Sequence, residues 1–156
     1  MASSVLAGLG WIGAPGAARA AGGTPQGLAP AGLGAHASAD GPADPLVLRA
    51  RTELARLGPA IANHDLVGIA DFSQPSNAPR FHLVDMQEGR IVHSFLVAHG
   101  RGSDPQHSGR VQRFSNEVGS NASSEGAYRT GELYVGKHGR SMRLDGLDAS
   151  NSNAEG

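Results

Sequence analysis

Between Val97 and Leu147 the chain concentrates histidine, serine, asparagine and glycine, residue types fit to bind a polar substrate or to line a catalytic site. Ser115, Ser120, Ser123 and Ser124 fall in one polar stretch. A serine hydroxyl becomes a nucleophile only beside a base, commonly on a strained, exposed turn. None of these lies in a G-x-S-x-G frame and no Ser-x-x-Lys occurs, so the cluster reads as turn chemistry and ligand contact, not as a nucleophile. Of the 7 histidines, His93, His99 and His107 are spaced too irregularly for one helix face or a zinc-finger pair, and no H-E-x-x-H frame exists. No metal and no cofactor is expected. Gly100-Arg101-Gly102-Ser103 resembles a phosphate-cradling loop only superficially, because no Gly-Lys-Ser/Thr follows and no helix start is there to receive an anion. The chain has no cysteine, which excludes disulfides, thiolate metal sites and a cysteine nucleophile within these 156 residues.

These residues need a scaffold, and the hydrophobic pattern supplies one. Asp44-Pro45 is a helix start, with Asp as cap and Pro at the first helical position. Leu46, Ala50, Leu54, Leu57 and Ile61 recur at spacings of three or four with charged residues between them, which predicts one amphipathic helix broken or kinked at Gly58-Pro59. The pattern then turns to strands at residues 66–72, 81–86 and 91–97, the last two joined as a hairpin through Glu88-Gly89. Residues 73–79 read as a loop, and residues 100–125 as a long polar loop, of the kind that is either functional or disordered. Residues 127–135 could form another pair of strands and residues 141–144 a short strand, punctuated by Gly136, Gly139 and Gly146.

Length allows one domain at most. The composition includes 23 glycines and 9 prolines, with the excess in the first ~45 residues, so roughly 110 residues remain for a small core. Net charge is −1 and no run of more than two basic residues occurs, so no footprint for nucleic acid or an anionic membrane exists. No stretch is long enough for a membrane span. Residues 1–20 carry an apolar run from Val5 to Ala14 and an A-x-A-like site at Ala18-Arg19-Ala20, the pattern of an export-signal remnant cleaved before Ala21, although no basic residue precedes Arg19. Residues 21–43 are Gly/Ala/Pro-rich and nearly uncharged, the composition of a flexible linker.

Several short motifs occur in order along the remainder. They are Asp71-Phe72-Ser73-x-x-Ser76-x-x-x-Arg80, Val97-Ala98-His99-Gly100, Phe114-Ser115-Asn116-x-x-Gly119-Ser120, the block from Asn121 through Tyr128 and Tyr134 to Gly139, and Leu144-x-Gly146-Leu147. Together they resemble the murein L,D-transpeptidase catalytic domain, a branch of the YkuD-type transpeptidases, from about Leu66 to Gly156. The resemblance implies a mainly β fold, an L,D-transpeptidase-like β-sandwich, here incomplete, with one N-terminal amphipathic helix, and residues 44–156 as the N-terminal portion of the catalytic domain. It implies that peptidoglycan stem peptides are the partner, in the periplasm or outside the cell. In that family a cysteine thiolate attacks the carbonyl after the third stem residue, and an amine or water resolves the acyl-enzyme.

By resemblance, Ser115, Asn116, Ser123, Ser124, Gly126, Tyr134, Lys137 and His138 contact substrate. Ser123-Ser124-x-Gly126-x-Tyr128 stands where the wider family has a Thr-Pro-x-Gly-x-Phe/Tyr turn, and Glu125 departs from the apolar residue expected there. His138 matches an upstream family motif, not the catalytic base. The family's catalytic His and Ser-x-Gly-Cys should follow Asn151-x-Asn153 by a few dozen residues, so the chain reads as C-terminally truncated: marginally folded, aggregation-prone and inactive alone. The alternatives are a non-catalytic murein-binding remnant and an unrelated soluble β domain, in which Ser115, Ser123, Tyr134 and His138 would not converge on one cleft.

Overall fold

A computed structural model describes residues 3–7, 43–137 and 139–154, all within one compact unit. The helix α1 spans Pro45–Leu57. Asp44 caps it, its Oδ1 accepting from the backbone N–H of Leu46 at 2.8 Å, and Pro45 occupies the first turn where a missing N–H costs nothing. The helix stops at Gly58, whose φ of +50° is open to glycine without strain, and a short 3-10 turn follows at Gly58–Ala60. The break falls where Gly58-Pro59 places it. The buried stripe is shifted from the expected one: Val47 and Ala50 are fully covered, Leu46 and Leu54 pack partly against the core, and Leu57 is half-buried.

Strand β1 is Ser3–Ala7, β2 Leu66–Asp71, β3 Phe81–Asp85, β4 Arg90–Phe95, β5 Ala127–Gly136 and β6 Gly139–Gly146. The fold is mainly β with one helix near the N-terminus. The six strands share one hydrogen-bonded ladder in the order β4-β3-β2-β1-β5-β6. Every pairing is antiparallel except β1 with β5. Val67, Ile69 and Val84 face Val47 and Ala50 of α1, and each such aliphatic side chain withdrawn from water contributes roughly 1.5–3 kcal/mol. Gly68 and Ala70 are also buried, so β2 is covered on both faces, as an interior strand is.

The hairpin β3–β4 turns at residues 86–89, where Asp85 Oδ1 accepts from the N–H groups of Gln87 and Glu88 and Gly89 takes a positive φ. The region after residue 127 differs from the expected pair of short strands. β5 runs unbroken for 10 residues and returns as the 8-residue β6, with Gly136 opposite Gly139. A register shift between Thr130 and Leu133 takes up the extra residues around Gly131. The ladder is locally irregular there, and one continuous β5 stands in place of the expected pair of strands.

Of residues 1–20, proposed from sequence as an export-signal remnant, only Ser3–Ala7 is described; of the linker at 21–43, only Ala43 is. Among the described residues no helix is long and apolar enough to cross a membrane.

Candidate functional site

Residues 100–125 contain little regular structure, yet backbone hydrogen bonds tie several of their turns together. A 3-10 turn at Arg101–Ser103 brings Gly100 and Gly102 against the segment 120–123. The Gly102 N–H donates to Asn121 O at 2.8 Å, the Gly100 N–H to Ser123 Oγ at 2.9 Å, and the Ser123 N–H to Ser103 Oγ at 2.9 Å. A Cβ at Gly102 would collide with the Ser120 carbonyl, so this approach requires glycine. The signal for a phosphate cradle is thus a signal for close backbone packing.

Beneath this loop lies a buried polar chain. Arg80 is fully buried; its Nη2 and Nε donate to Val97 O at 2.9 and 3.1 Å, its Nη1 to Gln74 O at 2.9 Å. Nη2 also donates to His99 Nδ1 at 2.7 Å. Because guanidinium only donates, His99 carries its ring proton on Nε2, which points at Asp104 Oδ2 at 3.6 Å. Burial pushes the Arg80 pKa below the ordinary guanidinium value, opposed by the charge of Asp71, and its cation lies 4.9 Å from the centre of the Phe72 ring. Burial would raise the Asp104 carboxyl. The N–H groups of Ser108 and Gly109, the Ser108 hydroxyl and the neighbouring His99 outweigh it and hold the carboxyl below its usual value.

Two adjoining recesses open on this framework and share Ala122, Ser124 and Ala154. The first, about 370 Å³, is polar and includes Ser115, Asn116, Glu117 and Asn121. The second, about 460 Å³, is apolar and includes Phe72, Phe81, Leu96, Val97 and Tyr128. Tyr128 donates its hydroxyl proton to Ser124 O at 2.8 Å, so at 2.6 Å the Ser124 hydroxyl donates to the phenol oxygen. Asn116 ties the far wall. Its Nδ2 donates to Ala149 O and Ser152 Oγ at 2.9 and 3.0 Å, and its Oδ1 accepts from the Asn153 N–H at 3.0 Å.

Of the residues marked from sequence, Ser115, Asn116, Ser123 and Ser124 line one or other recess. Gly126 sits behind the wall at φ +127°, where a Cβ would press on Asp148 and Asn151, so its role is to let the chain turn into β5. Tyr134 and Lys137 lie on the β5–β6 hairpin, exposed, and line neither recess; Arg143 stacks on the Tyr134 ring at 5.2 Å. His138 lies outside the described residues. Arg80 and His99 were legible as motif residues but not as a buried pair, and Asp104 carried no signal beyond its place in a polar loop. Phe72 and Tyr128, the aromatic walls, also stood within quoted motifs. Among the described residues no group of three His, Asp or Glu is placed to hold a metal ion.

The family model of the L,D-transpeptidase catalytic domain matches residues 48–156, which includes the helix from its first turn, both recesses and the buried Arg80 chain. The chain belongs to the L,D-transpeptidase catalytic-domain family. The reading as an unrelated β domain falls with that match. No curated protein and no solved structure matches it. An L,D-transpeptidase domain works on peptidoglycan, and a cleft with one polar and one apolar half can hold a peptide by its backbone and by a side chain at once.

Proposed function

We propose that this chain binds peptidoglycan stem peptides in the double recess and, as these 156 residues, does not turn them over. The observation that carries the proposal is the recess itself: polar atoms of Ser115, Asn121 and Ser124 beside an apolar floor of Phe72, Leu96 and Tyr128, within a domain of a murein-acting family. Half-open apolar surface such as Leu96, 64% exposed, gains by covering. Transfer by the family's chemistry needs a thiolate, and the chain has none. The available hydroxyls do not replace it: among the described residues no histidine lines either recess to act as their base. Ser115, Asn116, Ser123, Ser124 and Gly126 would hold or shape the peptide site. Tyr134 and Lys137, from the hairpin, and His138 would meet the glycan or a second stem. Such work places the protein in the periplasm or outside the cell, with stem peptides as its partner.

The test is binding to purified sacculi, with intact-mass analysis after incubation with a disaccharide tetrapeptide. Saturable binding without a mass adduct is expected, weakened about tenfold or more by Leu96→Asp, which places a charge on the apolar floor. A well-folded protein that stays in the supernatant would overturn the binding proposal. A covalent adduct would overturn the claim of inactivity.

A further inference from the structure

The sheet has a seam at its centre. β2, β3 and β4 follow one another in antiparallel pairings, as do β5 and β6, but β2 and β5 meet only through β1. The five residues of β1 pair antiparallel with β2, from Ser3 opposite Asp71 to Ala7 opposite Val67. They pair parallel with β5, from Val5 opposite Ala127 to Ala7 opposite Arg129. Val67, Gly68, Ile69 and Ala70 of β2 are all buried, as are Ala127 and Tyr128 at the start of β5. An interior strand with one edge unpaired leaves buried N–H and C=O groups without partners, which is costly, so the seam demands a strand. Ser3–Ala7 is Ser-Ser-Val-Leu-Ala: small or apolar, uncharged and free of proline.

We propose that the seam between β2 and β5 is a strand-accepting site for an extended segment of small and apolar residues, and that this chain fills it in cis with Ser3–Ala7. Binding is by backbone pairing on both edges, the mode by which added strands complete other sheets. The same residues begin the apolar run that reads as an export signal, and cleavage before Ala21 would remove the strand.

Because the chain has no cysteine, an engineered pair reports the pairing directly. Ser4 lies opposite Ala70, both small, so S4C/A70C in the full chain should form an intramolecular disulfide under mild oxidant. S4C/L66C, four residues out of register and roughly 13 Å further along β2, should not. Failure of S4C/A70C to cross-link, or cross-linking only between two chains, overturns filling in cis. A second measurement needs no cysteine: V5P removes a central-strand donor and should lower the melting midpoint by about 10 °C or more, whereas G23P, in the Gly/Pro-rich stretch, should not. Equal midpoints for V5P and the parent overturn the proposal.

Discussion

Arg80 and Asp104 support the loops around the cleft, although neither lines it. Arg80 satisfies Val97 O, Gln74 O and His99 Nδ1 from inside the protein, and Val97 is part of the apolar floor. Arg80→Met keeps much of the volume but strands those acceptors, and should cost about 3 kcal/mol or more in a denaturant titration. Asp104 acts by charge. Its folded-state pKa is depressed, so its stabilisation is present above the ordinary carboxylate value near ~3.9 and lost as pH falls through the folded value. Asp104→Asn should therefore melt earlier than the parent at neutral pH, and the gap should close below about pH 4. A gap that persists unchanged into strong acid would rule out the charge as its source.

The elements differ in how firmly their own residues specify them. α1 carries its own start and stop signals, and its contribution to the fold is the pair Val47 and Ala50 set on Val67, Ile69 and Val84. Val47→Ala should cost about 2 kcal/mol, the transfer and cavity terms for a buried branched side chain. Asp44→Ala removes only the cap bond to Leu46 and should cost about 1 kcal/mol. Both follow from urea unfolding of the variants, and a larger loss from the cap than from the core would show that the helix is held mainly from its end. Arg56, in the last turn of α1, bonds Asp148 at 2.9 Å while Asp148 Oδ2 accepts the Ala127 N–H at 2.7 Å, so the helix is joined to the start of β5 through one carboxylate.

At the scale of the molecule, the cleft brings together segments that lie far apart in the chain. Phe72 and Phe81 flank the loop after β2, Leu96 and Val97 follow β4, and Ser115 to Ser124 come from the long loop that Asn116 fastens to residues 149–153. Asn116→Ala should loosen that wall: amide exchange across residues 149–153 should rise well before any change in global melting. Binding to sacculi should fall with it. If exchange rises while binding holds, the polar recess is not where the stem sits.

Sequence by itself determined the helix with its cap and its break, the three strands between residues 66 and 97, the hairpin at Glu88-Gly89, the absence of a thiol and, through ordered short motifs, the family. Each of these is local: a cap bond, a periodicity or a residue type lies within a few positions of the residue it governs. Tertiary structure alone decided what depends on contacts far apart in the chain. It joined Arg80 to His99 and Asp104, made residues 127–136 one strand instead of two, moved the helix stripe onto Val47, and put Ser3–Ala7 between β2 and β5. It also divided the expected contacts, gathering Ser115, Ser123 and Ser124 at the recesses while leaving Tyr134 and Lys137 on the hairpin. The physical reason is that burial and pairing across the sheet are set by which surfaces meet, and no pattern of neighbouring residues records which distant edge a strand will find.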